Sequence, residues 1–383
     1  MAVMSPRTTF GIVGGGWRSH LLLRLADAAP GRLNAAGVVT RTADAGERVT
    51  ARWGVPTYRT IDELLKAVDV DYVVAAVSWP AMPGVIRDLV AAGMAVLAET
   101  PPAPDVDRMR SLWGDVAGSG LVQVAEQYLL MPGHAARHTV IQDGVIGQAT
   151  SVEISSTHLY HAVSLIRGLL GVGMDDVVVN ARDFRAPLVD PLTFDGWDLQ
   201  AVPEPRTTTI ATLDFGDRMG LYNFVENQWW NPLRTRRIVV RGSRGELVDN
   251  TVVRLVDPTS PVESSLVYRR TGVDMNLEGS ELVHVSFDGR VVYRNPWLGT
   301  RLSEDDIAVA SMLEAEGAWV RGEGPEPYPL AQACQDHAIG LAIQESARTG
   351  AEVHVAKNVW AWGAVDGDEV RSLPGPPMRP TVR

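Results

Sequence analysis

The stretch Phe10-Gly11-Ile12-Val13-Gly14-Gly15-Gly16-Trp17-Arg18-Ser19 decides the fold of this chain. Its first four residues form an apolar run typical of a buried strand, and the leucine-rich residues 20–29 are typical of a helix. Three glycines thus connect a strand directly to a helix, as in the turn that binds the pyrophosphate of a dinucleotide. Because glycines also occur in ordinary loops, the surroundings of this turn must decide between the two interpretations.

Each residue of the turn has an expected role in a dinucleotide site. Gly14 would form the tight turn, Gly16 would let the backbone approach the pyrophosphate, and Ser19 would allow the helix to pack closely on the strand. The N-terminus of the helix would present unpaired N–H groups to the anion. We therefore expect six cofactor contacts here: Gly14, Gly15, Gly16, Trp17, Arg18 and Ser19.

Composition and charge restrict the class of protein. The chain has 383 residues, of which 45% are hydrophobic, which is enough to bury two cores. A formal net charge of −11 argues against nucleic acid and against an anionic membrane surface as partners. Cys334 is the only cysteine, so a disulfide framework and a thiol-based metal site are not expected. With no signal-peptide pattern and no apolar run of roughly 20 residues, we expect a cytoplasmic protein that acts on small molecules.

The first third of the chain alternates short apolar runs with helical patterns, which predicts an α/β fold with a doubly wound parallel sheet. The further expected strands cover residues 35–40, 72–77, 95–98 and 121–125, and the further expected helices cover residues 43–53, 62–68, 85–92 and 105–117. Thr60, with Glu63 three residues later, is the expected N-cap of the second of these helices. The pattern predicts a Rossmann domain over residues 1–126.

The remainder of the chain has a different pattern. Strand-like alternation over residues 207–256 and 282–293 favours an open, largely antiparallel sheet. The expected helices cover residues 135–143, 161–170, 303–321 and 330–349, the last ending at Gly350, and a further strand is expected over residues 148–156. We predict an α+β substrate and oligomerisation domain over residues 127–366 and a proline-rich tail over residues 367–383.

The end of the predicted second strand indicates which dinucleotide binds. An acidic residue about 20 positions after the last glycine would bind the ribose hydroxyls of NAD. Here the strand ends in Val39-Thr40-Arg41-Thr42, without a carboxylate. An arginine between two hydroxyls suits the 2′-phosphate of NADP, although a surface arginine in an arginine-rich chain is the plain alternative. We expect NADP as the cofactor, with NAD as the alternative, and contacts from Thr40, Arg41 and Thr42.

Later strand ends should lie at the same crevice, because parallel strands bring their C-terminal ends to the cofactor. Two of these ends read Val77-Ser78-Trp79-Pro80 and Leu97-Ala98-Glu99-Thr100-Pro101, and Gln127 follows the last parallel strand. The expected cofactor contacts in this group are Ser78, Trp79, Pro80, Glu99 and Gln127.

The order of these strand ends, with Ala91-Ala92-Gly93 between them, resembles the Gfo/Idh/MocA family of glucose-fructose oxidoreductase and inositol dehydrogenase. The resemblance covers nearly the whole chain through Pro132, Gly144-Val145-Ile146-Gly147, Leu169-Leu170-Gly171 and Glu345-Ser346-Ala347-Arg348-Thr349-Gly350. It implies a nicotinamide enzyme acting mostly on sugars, cyclitols or related polyols, with the substrate between the cofactor and the second-domain sheet. It also implies association of subunits through the outer face of that sheet, hence a homo-oligomer.

The sequence departs from the family at its catalytic positions. The resemblance implies a lysine after Glu99 and an aspartate four residues before His161, but these positions hold Thr100 and Thr157. The only lysines are Lys66 and Lys357, so no neighbouring lysine is an evident substitute. Loss of a positioned acid or base typically costs about 10²–10⁴ in rate. The family's usual mechanism should therefore not be repeated unchanged.

Five residues remain as catalytic candidates. His161 aligns with the family histidine, and His158 lies one helical turn away from it. Tyr160 or Tyr128 can donate a phenolic hydrogen bond to a carbonyl oxygen, and Thr100 can donate one without charge. Each of these residues can instead be structural. Two imidazoles also permit a metal, but no third ligand is indicated, and we expect none.

Two adjacent tryptophans, Trp229 and Trp230, fall on a predicted strand, where they cannot both face one surface. One could stack on a substrate ring, while packing in the core or between subunits is the alternative.

Three functions stay open. The first is an NADP-dependent oxidoreductase of a carbohydrate-like, polyol or keto substrate. The second holds its cofactor tightly for net non-redox chemistry such as glycoside cleavage or epimerisation. The third is a nucleotide-binding protein without catalysis.

Overall fold

The computed structural model describes residues 6–193, 195–276 and 279–362. The predicted tail over residues 367–383 and the predicted end of the second domain at residue 366 lie outside the described residues. No described helix is both long enough and apolar enough to pass through a membrane.

The N-terminal part contains the predicted parallel sheet. Its strands are β1 (Thr8–Val13), β2 (Leu33–Val39), β3 (Thr57–Tyr58), β4 (Tyr72–Ala75), β5 (Val96–Ala98) and β6 (Val122–Val124). They are ordered β3-β2-β1-β4-β5-β6, and every pair is parallel. This is the doubly wound order of a dinucleotide-binding sheet. The short strand β3 was not predicted, because two residues carry no period.

Five helices accompany this sheet: α1 (Trp17–Ala28), α2 (Ala43–Trp53), α3 (Ile61–Ala67), α4 (Met82–Ala91) and α5 (Val106–Val116). The predicted cap of α3 is confirmed, since the Thr60 hydroxyl accepts a hydrogen bond from the backbone N–H of Glu63 at 3.1 Å. The strands are buried along most of their length, as expected for a parallel sheet covered on both faces.

The second part contains a nine-stranded sheet, a three-stranded sheet and a two-stranded sheet. Its further helices are α6 (Pro132–Gln142), α7 (Leu159–Leu170), α8 (Glu304–Val320), α9 (Leu330–Thr349) and α10 (Val359–Trp362). Its strands are β7 (Ala149–Ser155), β8 (Val177–Leu188), β9 (Leu192–Thr193), β10 (Gly196–Trp197), β11 (Glu204–Asp214), β12 (Met219–Val225), β13 (Arg237–Gly242), β14 (Gly245–Val248), β15 (Thr251–Asp257), β16 (Ser260–Ser265), β17 (Val267–Thr271), β18 (Glu281–Phe287), β19 (Arg290–Arg294) and β20 (Val353–Val355).

The order of the larger sheet is β16-β15-β14-β13-β7-β12-β11-β8-β20, and its one parallel pair is β7 with β12. The prediction of an open, largely antiparallel sheet is thus confirmed. The long strand β8 was not predicted, because its second half is exposed and its sequence does not alternate.

Helix α8 packs on the N-terminal sheet although it comes from the C-terminal third of the chain. The Tyr72 hydroxyl on β4 donates to the carbonyl of Leu313 at 2.8 Å. Arg24 and Asp306 form an ion pair at 2.6 Å between α1 and α8. Residues beyond position 126 therefore complete the packing of the first sheet.

Candidate functional site

The glycine turn at the end of β1 leaves no room for a side chain at its first position. Gly14 has φ of 131°, and a Cβ placed on it would lie 2.1 Å from the carbonyl oxygen of Ala76. Its N–H donates to the carbonyl of Val39 at 2.9 Å. The buried Ser19 hydroxyl donates back to the carbonyl of Gly14 at 2.9 Å. The turn is therefore held tightly against β2, β4 and α1.

The start of α1 is open on the side away from the sheet. Gly16 is the N-cap, and no side chain of the described residues caps this helix. A Cβ on Gly16 would meet no atom within 4 Å, and Gly15 faces the Thr40 methyl group. Trp17 is 67% exposed. Open space next to the N–H groups of a helix start is the arrangement that receives a pyrophosphate, so the residues present fit a dinucleotide.

The tip of β2 carries a second arginine that the sequence analysis missed. Arg59, which follows β3, donates to the Thr40 carbonyl at 2.8 Å and to the Thr40 hydroxyl at 2.5 Å. Thr40 is buried and donates its own proton to the Thr42 carbonyl, while the Thr42 hydroxyl caps α2. Arg41 is exposed beside them. Arg59 was missed because it follows β3, which pairs with β2 but is too short to be predicted from the sequence.

The loop after β4 reaches toward the second domain. The Ser78 carbonyl accepts the backbone N–H groups of Ala81 and Met82, so that α4 starts two residues after Pro80. Trp79 is 45% exposed. Its ring lies edge-on to that of Tyr160, with 6.4 Å between their centroids.

Arg18 links the glycine turn to the ends of β5 and β6. Its Nε donates to Glu99 Oε1 at 2.6 Å, and its Nη2 donates to Gln127 Oε1 at 3.4 Å. The side chains of Arg18 and Glu99 are each 13% exposed. Arg18 thus contacts two other predicted cofactor residues at the crevice.

The five predicted catalytic residues come together in one cluster. The His161 ring lies 4.5 Å from the ring of Tyr128 and 4.5 Å from that of Tyr160, measured between centroids. His158, the N-cap of α7, lies 5.1 Å from His161. Thr100 lines the same small cavity as Tyr160.

Burial keeps three members of this cluster uncharged. It raises the pKa of Tyr128 to about 12, although the neighbouring Thr157 opposes this. It also raises the pKa of Tyr160. Burial, assisted by the neighbouring His161, lowers the pKa of His158 to about 3. At neutral pH the two phenols are proton donors and His158 is a neutral imidazole.

His161 also contacts a carboxylate that was not predicted as a site residue. Its Nδ1 lies 2.5 Å from Glu126 Oε2, and both side chains are almost completely buried. The other carboxylate oxygen accepts the backbone N–H of Tyr128 at 3.1 Å. Its position directly after a parallel strand was a signal for Glu126, but the pairing joins residues 35 positions apart and no local pattern reveals it.

The two tryptophans correct the sequence analysis. They lie in a turn after β12 and not on a strand, so their rings approach each other with centroids 6.4 Å apart. Trp229 is stacked on Phe224 with 5.3 Å between centroids, and it lies 4.9 Å from His158. It therefore forms one aromatic wall of the cluster.

A cavity of about 10 Å³ lies behind the cluster, which is the space of one water molecule. On its far side, Asp336 is paired with Arg167 at 2.5 Å and accepts the Tyr328 hydroxyl. The residues that line the cavity are Thr100, Pro101, Pro102, Glu126, Tyr160, Ala333, Asp336 and His337. Within the described ranges, no three His, Cys, Asp or Glu side chains are grouped so as to hold a metal ion.

A family model described as an oxidoreductase family with an NAD-binding Rossmann fold matches residues 8–126. The comparison with curated proteins gives no match.

Several solved structures share the fold of nearly the whole chain. A myo-inositol dehydrogenase from Corynebacterium glutamicum is 17% identical with a TM-score of 0.63, covering 91% of this chain and 99% of that one. The WlbA dehydrogenase from Bordetella pertussis, solved with NADH and UDP-GlcNAcA, is 16% identical with a TM-score of 0.62, covering 93% and 100%. An NAD binding oxidoreductase from Klebsiella pneumoniae is 16% identical with a TM-score of 0.66, covering 92% and 100%.

Proposed function

Because this chain belongs to the Gfo/Idh/MocA family of oxidoreductases through its NAD-binding Rossmann domain at residues 8–126, we propose that it is an NADP(H)-dependent enzyme. Its substrate is a carbohydrate-like compound, a cyclitol or a related polyol or keto compound. The observation that carries this proposal is the placement of His161 between Tyr128 and Tyr160, beside the strand ends of the dinucleotide fold.

The cofactor site consists of two parts of the crevice. The open start of α1 would hold the pyrophosphate, and Arg41 together with Arg59 would hold the 2′-phosphate that distinguishes NADP from NAD. The nicotinamide would accept or supply hydride when bound. Arg41 and Arg59 stand within two residues of the ends of β2 and β3, where the sequence has no carboxylate, and this supports the phosphorylated dinucleotide.

The substrate's reacting oxygen is handled by the aromatic cluster. Oxidation of an alcohol requires a group that removes the hydroxyl proton, and His161 is the imidazole at the centre of the cluster. Tyr128 and Tyr160 keep their protons at neutral pH and can donate hydrogen bonds to the same oxygen. Neutral donors at the position of the family's lysine would stabilise an oxyanion less than a cation does.

The test begins with binding. Quenching of tryptophan fluorescence during titration of the purified protein with NADPH and with NADH should show NADPH binding at least tenfold more tightly. Turnover is then followed at the nicotinamide absorbance band with a panel of sugars, cyclitols and keto sugars, and His161→Ala should lower the rate by about 10²–10⁴. Tighter binding of NADH would refute the NADP assignment, and unchanged rates in His161→Ala would remove this residue from the mechanism.

We also propose a homo-oligomer that forms through the outer face of the nine-stranded sheet. Phe184 on β8 and Ile210 on β11 are 50% and 45% exposed on this face, whereas Ala211 and Leu213 on the opposite face are buried. Light scattering of the wild type and of Ile210→Glu would test it, with the charged variant expected to dissociate.

A cytoplasmic location is proposed from cysteine usage, since Cys334 is buried as a free thiol.

A further inference from the structure

The carboxylate at the end of β6 contacts the histidine that, in the family pattern, is accompanied by an aspartate absent from this chain. Thr157, at the position where the resemblance implies that aspartate, is fully buried and cannot carry charge. Glu126 instead reaches His161 from the N-terminal domain. We propose that Glu126 is the positioning residue of His161, so that a carboxylate of the first domain and an imidazole of the second form the acid–base pair of the proposed oxidoreductase. The inference rests on that proposed function.

The geometry holds the carboxylate in a single orientation. Glu126 Oε1 accepts the backbone N–H of Tyr128 at 3.1 Å, which leaves Oε2 for His161 Nδ1 at 2.5 Å. The Glu126 side chain is 3% exposed and the His161 side chain is 11% exposed. A charge-assisted hydrogen bond of this length, shielded from water, is stronger than one between neutral groups.

This contact selects the tautomer of the imidazole. Because an ionised carboxylate only accepts hydrogen bonds, Nδ1 must carry the proton, and Nε2 is left with a free lone pair. The rings of Tyr128 and Tyr160 flank the imidazole and restrict its rotation. His161 is therefore prepared to accept a proton at Nε2 and at no other atom.

The balance of the reaction shows what Glu126 contributes. When the alcohol is oxidised, its carbon would give up a hydride, for which a bound oxidised nicotinamide would be the acceptor. The hydroxyl proton would pass to His161 Nε2 as the C–O bond becomes a carbonyl. The imidazolium that forms is stabilised by the adjacent negative charge, as in other carboxylate–histidine pairs. Reduction of a carbonyl is the reverse, with the proton returning from Nε2.

Among the described ionisable groups around His161, Glu126 is the direct anionic partner. Tyr128, Tyr160 and His158 are uncharged at neutral pH for the reasons given above. Asp336 and Tyr328 on the far side of the cavity contact each other, and Asp336 is neutralised by Arg167. The charge of Glu99 contributes to the raised pKa of Tyr160, but Glu99 itself is paired with Arg18.

The first test needs neither cofactor nor substrate. In the wild-type protein labelled with ¹⁵N-histidine, the His161 signals, assigned by their loss in His161→Gln, should show a protonated Nδ1 and a bare Nε2 at neutral pH. The downfield Nδ1 proton should shift or vanish in Glu126→Gln. The opposite tautomer in the wild type would overturn the proposal, whether or not the variant folds.

The second test uses the pH dependence of kcat/KM once a substrate is found. Glu126→Gln removes the charge at constant size, and it should lower kcat about 10²-fold with KM little changed. The acid limb of alcohol oxidation should move to lower pH, because protonated His161 has lost its anion. Glu126→Asp should recover part of the rate.

Glu316→Gln is the matched control, since Glu316 is equally buried but lies in α8 against the first sheet. Its pH profile should equal that of the wild type. An acid limb unchanged in Glu126→Gln would overturn the role of Glu126. If the wild type showed the expected tautomer but turned over no substrate, the result would instead count against the proposed function alone.

Discussion

Arg18 and Glu99 form an ion pair that connects the first turn of α1 to the end of β5, with 2.6 Å between Nε and Oε1. Both side chains are 13% exposed, so neither charge is fully hydrated. The pair places a cation one residue from Thr100, where the family pattern has a lysine. It also explains why a charged residue stands at the start of α1: it holds the glycine turn against the strand ends that the cofactor would cross.

Arg18→Met should lower the free energy of unfolding by about 2–3 kcal/mol, because Glu99 would remain partly buried without its partner. The double variant Arg18→Met with Glu99→Gln should recover part of this loss, since no charge is then left unpaired. Urea denaturation of the two single variants and the double variant measures the coupling. Additive losses would mean that the two residues act independently.

The glycine turn allows fold and binding to be separated. Gly14→Ala should lower the melting temperature, because its Cβ would meet the Ala76 carbonyl oxygen at 2.1 Å in a left-handed backbone conformation. Gly16→Ala should leave the melting temperature almost unchanged, since its Cβ enters open space, but should weaken NADPH binding at least tenfold. Calorimetry and fluorescence titration measure the two effects. Undiminished binding by Gly16→Ala would place the pyrophosphate elsewhere.

Arg59→Ala should weaken NADPH binding about tenfold while changing NADH binding little, because its guanidinium lies on Thr40 at the tip of β2. Arg41→Ala should have a similar effect. Arg108→Ala serves as the control, since this exposed arginine is paired with Asp105 on α5. Equal losses for both dinucleotides in Arg59→Ala would indicate that it only supports the loop.

Local patterns predicted much of this fold. The helices over residues 43–53 and 330–349 begin and end where expected, because Thr42 caps the first and Gly350, with φ of 70°, ends the second. Strand β8 escaped because charged and exposed residues interrupt its second half. Its place is determined by pairing with β11, a long-range interaction.

The sequence analysis named most residue types of the candidate site, but it did not predict which charged groups pair there. His161, Tyr160, Tyr128 and Thr100 come together because strand ends and the start of α7 converge at one edge. Glu126 and Arg59 were missed since each acts through a contact between distant elements. Residue types indicate which groups are available, whereas only tertiary structure pairs them.

Glu316 should make the stability of this protein depend on pH. The residue is fully buried on α8, and neither carboxyl oxygen has a hydrogen-bond partner among the described residues. Burial, with a smaller effect of Glu326, raises its pKa well above the usual value. A carboxyl group whose pKa is higher in the folded state stabilises the fold below its unfolded pKa and loses that contribution as the pH rises.

Glu316→Gln should therefore be more stable than the wild type at pH 8 by about 1–3 kcal/mol and nearly equal to it at pH 4.5, because the amide needs no proton to remain neutral. Urea denaturation at both pH values measures the difference, and Glu47→Gln, at an exposed position on α2, is the control. If the wild type and Glu316→Gln lost stability in parallel between the two pH values, the carboxyl would have to be hydrated or paired in solution.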